Sequence, residues 1–126
     1  MTTKEIGDVG ENAAVRFLKK EKYKISARNK HLSHNEIDIV AENKEYIVFV
    51  EVKTRTINAD GELPYGLPSS SVTYKKKTHL LDAARVYLRE SPTNKQPRMD
   101  VIEVWLDDSK KVVKINHIRN AYGAKG

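Results

Sequence analysis

The sequence has no cysteine. Disulfides, thiol catalysis and any zinc site built on cysteine are excluded with it. No hydrophobic run approaches the ~20 apolar residues of a membrane span. The opening Met1-Thr-Thr-Lys-Glu5 has none of the apolar character of a signal peptide. A cytoplasmic protein without membrane contact is therefore the expectation. There is no internal repeat and no low-complexity tract. Acidic residues are outnumbered, 17 against 23 Lys and Arg, which leaves a net charge of +6. Such a surface attracts polyanions; nucleic acid is the commonest, although many small basic proteins bind none. What is present is 126 residues, 39% of them hydrophobic, enough for one domain with a single modest core.

The stretch from Asn35 to Arg55 organises the chain. It reads as two strands around a turn at Asn43-Lys44, with β-branched and aromatic residues in the arms. Ile47 to Val52 is nearly all apolar, as in a central strand covered on both faces. Charges then arrive where a core strand should have none: Glu51, Lys53 and Arg55. A period of two puts Ile47, Phe49, Glu51 and Lys53 on one face, the last two roughly 7 Å apart. Across the hairpin Asp38 faces Phe49 or Glu51, on the order of 5–8 Å from Glu51. Two converging carboxylates repel unless something positive lies between them. A hard divalent cation such as Mg²⁺ meets that need with oxygen ligands and keeps open positions. It can also polarise a phosphodiester and activate a water. The plainer alternative is a structural ion-pair cluster at a strand end.

Elsewhere the pattern is helix, strands and loop. Thr3 to Glu21 predicts a helix capped by Thr2 or Thr3, with a stripe of Ile6, Val9, Ala13, Phe17 and Leu18. Glu11 lies at the stripe's edge, flanked by the helix-weakening Gly7 and Gly10. These glycines make sense where the backbone approaches a strand or a phosphate. Glu11 by itself reads as an ordinary surface glutamate. Lys22 to Lys30 predicts a short strand, followed by a loop with His31 and His34, whose i, i+3 spacing could suggest metal binding or a minor role near nucleic acid but reads first as loop residues without a ligand role. Glu36 shares a face with Asp38, and its partner stays open between metal, Arg55 and solvent. Residues 56–71, with Gly61, Pro64, Gly66 and Pro68, predict a long flexible loop that could cover the site. Thr73 to Glu90 predicts a second helix with Leu80, Leu81, Ala84, Tyr87 and Leu88 facing the core. Its first turns hold Lys75, Lys76 and Lys77, suited to a phosphate at a helix N-terminus or simply solvated, with Lys76 leaning inward. Arg98 to Leu106 alternates as a strand, Asp107-Asp108-Ser109 turns, and Lys111 to Ile115 pairs back. Arg98 and Asp100 read as a structural salt bridge, and His117 to Gly126 as a short basic C-terminal tail.

Several pieces together carry a resemblance. Gly7-x-x-Gly10-Glu11, Arg28-Asn29, Glu36-Ile-Asp38, Val48-Phe-Val-Glu-Val-Lys53-x-Arg55 and Arg98-x-Asp100-Val occur in this order from about Gly7 to Trp105. Asp38 followed by Glu51-Val52-Lys53 resembles the D…(E/D)xK signature of restriction-endonuclease-like nucleases. The full set resembles the bacterial YraN-type family, regarded as endonucleases and similar to archaeal Holliday-junction resolvases. One position departs: Asn35 stands where that family usually has glycine before Glu-Ile-Asp. The resemblance implies an α/β, restriction-endonuclease-like three-layer core, a mixed central sheet flanked by helices. It implies a Mg²⁺- or Mn²⁺-dependent endonuclease acting on structured or branched DNA. Asp38, Glu51 and the Val52 carbonyl would hold the metal, Lys53 would place the water, and Glu11 would complete the acidic shell. Arg28, Lys30, Arg55, Lys75, Lys76 and Lys77 would meet phosphates, Lys76 aligning best with a recurrent lysine of the family. A two-fold dimer would suit symmetric cutting of two strands, though no interface is readable. Two alternatives stand beside the nuclease: a non-catalytic nucleic-acid-binding module on the same fold, and a basic protein–protein adaptor.

Overall fold

The computed structural model describes residues 1–32, 34–57 and 74–122, with side chains from residue 79 onward in the last of these. Helix α1 (Thr3–Lys20) starts at a capping box: Thr2 Oγ1 accepts the Glu5 N–H, and Glu5 Oε1 accepts the Thr2 N–H. It stops where Lys22 adopts φ 74°. There the Tyr23 N–H reaches back to the Leu18 carbonyl and the Lys22 N–H to that of Lys19, closing the last turn.

Five strands follow the order β1 (Lys24–Leu32), β2 (Asn35–Glu42), β3 (Tyr46–Thr56), β4 (Gln96–Leu106) and β5 (Val112–Ile118). They lie in that same order in one sheet. All neighbours are antiparallel except β3 and β4. A parallel pair needs a long connection, and helix α2 (Tyr74–Glu90) lies within it. At the β2–β3 turn, Asn43 Oδ1 accepts the N–H groups of Glu45 and Tyr46.

The apolar run of β3 divides by parity. Val48 and Val50 join α1 residues Ala13, Ala14 and Leu18 on one face. Ile47 and Phe49 join α2 residues Leu80, Ala83 and Ala84 on the other. The architecture is the expected α/β arrangement: a mixed five-strand sheet with a helix on each face, consistent with a restriction-endonuclease-like core. Among the described residues, no helix is long and apolar enough to cross a membrane.

Alternation breaks once on β2. Ile37 packs on the α2 side and Ile39 on the α1 side, although strict alternation would put both on one face. Asp38 lies between them. On β1 the pairs Arg28↔Ile39 and Lys30↔Ile37 bracket Asn29, whose φ is 48°. Asparagine tolerates this left-handed conformation better than most side chains. Asn35 itself opens β2 and is not among the described non-glycine residues with positive φ. Its departure from glycine demands no unusual backbone.

Two readings are corrected. β1 extends through His31 to Leu32, where His31 pairs with Glu36 across the ladder at 3.2 Å instead of lying in a loop. The residues read as a short basic tail begin inside the sheet. His117 belongs to β5, its side chain is buried, and its Nε2 lies 2.6 Å from Asp100 Oδ2. Asp100 also takes two hydrogen bonds from Arg98 and one from the Asn120 N–H. Arg98 in turn donates to the Tyr23 hydroxyl. Burial alone would raise the Asp100 pKa; His117, Arg98 and the Asn120 N–H outweigh it and hold the carboxyl below its usual range. The Arg98–Asp100 salt bridge is thus structural, as expected. Of the predicted 56–71 loop, residues 58–71 lie outside the described residues, as does Thr73, the expected start of α2.

Candidate active site

The β2–β3 register resolves the choice left open by the sequence. Ile39 pairs with Val50, so one step further Asp38 stands opposite Glu51, not Phe49. The Val52 N–H donates to Asp38 Oδ2 at 2.8 Å. Two residues on from Glu51, Lys53 is buried, and its Nζ lies 3.0 Å from Glu51 Oε2.

Asp38 is electrostatically uncomfortable. Its pKa is pushed up to about 6, chiefly by burial and further by the carboxylates of Glu51, Glu11 and Glu36; the Val52 N–H offsets only part of this.

Glu11 reaches the same region from α1. Gly10 brings the helix onto β3, since any Cβ there would overlap Thr54 Oγ1. One residue later Glu11 is buried, its Oε1 accepting from Arg28 Nη2 at 2.9 Å and Asn29 Nδ2 at 3.0 Å. Gly7 has open space where its Cβ would be. It borders a cleft of about 350 Å³ between α1 and β3 that includes Glu11, Asp38, Lys53 and Arg55. A second cleft of about 210 Å³ opens on the other side, among His34, Glu36, Asp38, Glu51 and His79. Asp38 lines both.

The structure therefore gathers Asp38, Glu51, Val52, Lys53 and Glu11, with Arg55 on the cleft wall. The Arg28 guanidinium, expected at a phosphate, bonds Glu11 and Asn12 Oδ1 through Nη2. Lys30 is exposed on the edge strand β1 and lines neither cleft. Lys75, Lys76 and Lys77 fall in the first turns of α2, with their side chains outside those described. Sequence reading gave three residues here no part in the site. His79 carries no local signal, and His34 acquires its neighbours only through folding. Asn29 could have been singled out as an asparagine suited to a left-handed kink, yet its hold on Glu11 is visible only in three dimensions.

Among the described residues, no three acidic or histidine side chains converge into a ready-made ligand cage. The donors are hard oxygens in a charge-rich pocket. That suits an ion of the Mg²⁺ type, which is held by one or two carboxylates and completes its shell with water and substrate.

Comparison with known proteins places this geometry in a family. The model of the uncharacterised protein family UPF0102 matches residues 10–104. A UPF0102 protein of Caldanaerobacter subterraneus is 43% identical over 121 residues, covering 94% of this chain and 95% of its own. One from Caldicellulosiruptor saccharolyticus is 41% identical over 123 residues, covering 97% of this chain and 100% of its own. One from Clostridioides difficile is 40% identical, with the same coverage. This chain belongs to the uncharacterised protein family UPF0102.

Proposed function

We propose that this chain is a divalent-metal-dependent endonuclease that hydrolyses phosphodiesters in structured or branched DNA. One observation carries the reading: Asp38, a partly buried carboxylate beside Glu51, has its pKa raised to about 6, first by burial and then by the neighbouring carboxylates. A pocket that concentrates negative charge in this way favours a cation. Asp38 and Glu51 would hold Mg²⁺ or Mn²⁺, with the Val52 carbonyl as a third oxygen and Glu11 in the surrounding acidic shell. Bound there, such an ion supplies phosphodiester polarisation and a more acidic water. Lys53 holds a positive charge beside Glu51, where it orients the attacking water or the phosphate. Arg55 lines the cleft, and Lys30 with Lys75, Lys76 and Lys77 supply phosphate contacts. The net charge of +6 draws the polyanion in. A two-fold dimer would present two such sites to a symmetric junction.

The test is cleavage of four-way junction, fork and duplex DNA in Mg²⁺ or Mn²⁺ by the wild type and by Asp38→Ala. The wild type should cut, and the variant should bind with the same salt dependence without cutting. Unchanged cutting by Asp38→Ala would sink the mechanism.

A second reading, a nucleic-acid-binding domain on this fold without catalysis, draws on the Lys53–Glu51 pair, which already neutralises one carboxylate. It predicts that Mn²⁺ changes neither the melting temperature nor DNA affinity.

A further inference from the structure

Glu103 has no part in the site as described. It lies on β4, 2% exposed. The ladder sets it between Asn116 of β5 and Lys53 of β3. Asn116 Nδ2 donates to Glu103 Oε1 at 2.9 Å. The other oxygen, Oε2, is buried and has no hydrogen-bond donor among the described residues. An acceptor left this way is costly, and in a native fold it asks for a reason.

Lys53 supplies one. Residues paired across neighbouring strands stand about 5 Å apart. The four-carbon chain of a lysine on β3 spans that gap easily. In this structure the Lys53 ammonium sits on Glu51 Oε2. The rest of the argument assumes the metal-dependent reading above. A divalent cation taking up Glu51 competes with the ammonium for the same oxygens and repels it. A buried ammonium repelled in this way favours a nearby carboxylate oxygen, and Glu103 Oε2 on the next strand is one. Among the described residues the hydroxyl of Tyr122 and the indole N–H of Trp105 are also buried without partners, but they are neutral.

We infer that Glu103 is a positioning residue that receives the Lys53 ammonium when a divalent cation occupies Glu51. The exchange of Glu51 for Glu103 keeps Lys53 charged and inside the site. It changes Lys53 from a counter-ion of the metal ligand into a neighbour of the reacting groups.

The experiment is Mn²⁺ titration of the wild type, Glu103→Gln, Lys53→Met and the double variant, counting free Mn²⁺ by its paramagnetic resonance signal. Glutamine retains an oxygen for Asn116 and loses only the charge. Removing an outer partner of a metal site typically weakens affinity about tenfold or more. That loss is expected for Glu103→Gln with Lys53 present. In the Lys53→Met background the same change should cost less than about twofold, because no ammonium remains to be rehoused. An equal loss in both backgrounds, or none in either, overturns the inference and leaves the metal site standing. No Mn²⁺ binding by the wild type overturns the metal-dependent reading and this inference with it. If Glu103→Gln does not fold, nitrogen-15 spectra of the wild-type Lys53 ammonium decide. Its signal should shift and persist as Mg²⁺ is added. A signal lost to solvent exchange refutes the exchange of partners.

Discussion

Asp38→Asn should make the metal-free protein more stable at pH 8. Above pH 6 the Asp38 carboxylate is charged in a pocket that disfavours the charge. The unfolded chain, with an ordinary value of 3.8, bears no such penalty. Between 3.8 and about 6 the folded state holds more protons than the unfolded state, so stability falls as pH rises through that window. At 1.36 kcal/mol per pH unit, the gap amounts to about 3 kcal/mol at pH 8. Asparagine removes the charge, and its Oδ1 can still accept the Val52 N–H. For a domain of this length, about 3 kcal/mol corresponds to roughly 10 °C in Tm. The assay is thermal melting in EDTA at pH 8 and again below pH 4, where both residues are neutral. The variant should melt well above the wild type at pH 8, and the two should converge in acid. A variant equal to or weaker than the wild type at pH 8 would refute the claim that Asp38 is strained by its surroundings. Adding Mg²⁺ should narrow the difference, because only the wild type gains from the ion.

Other expectations follow from separate contacts. Gly10→Ala forces a Cβ onto Thr54 and should destabilise the fold by about 1–3 kcal/mol in urea titration, with partial relief from Thr54→Ala. Asp100→Asn leaves Arg98 buried without its counter-charge and should cost about 3–5 kcal/mol at neutral pH. Because the Asp100 pKa is depressed, its contribution is full above about pH 4 and fades as pH falls below that; the wild type and Asp100→Asn should therefore approach one another in strong acid. Arg28→Ala removes one of the two donors to buried Glu11 and should lower stability by about 1–3 kcal/mol, while DNA affinity measured by anisotropy changes little.

Local pattern carried a good deal of this structure. The apolar run of β3, the hairpin around Asn43 and the stripes of both helices are all short-range signals, and each formed the expected element. Asp38, Glu51 and Lys53 could be brought together because a hairpin ties their spacing to a strand period. What could not be read depends on distant partners. Gly7 and Gly10 look alike in sequence, yet only Gly10 is pressed against Thr54. The partners of Arg28 come from α1, which brings Glu11 and Asn12 beside it. His117 resembled the start of a polar tail because Asp100, the group that makes its burial favourable, lies on the neighbouring strand. The kink at Asn29 and the matching break in β2 alternation belong to a pair of strands and to neither alone.

The Asp100 cluster also bears on how the chain is made. It joins Tyr23, Arg98, His117 and Asn120, residues that emerge far apart in time during synthesis. A nascent chain that has reached only Leu106 already contains the guanidinium and the carboxylate, but not the imidazole and backbone amide that complete their shell. Final closure therefore waits for nearly the whole domain to be available. A product cut short before His117 would leave Asp100 short of two of its partners, and the cell's quality-control proteases would meet it as an unfinished protein.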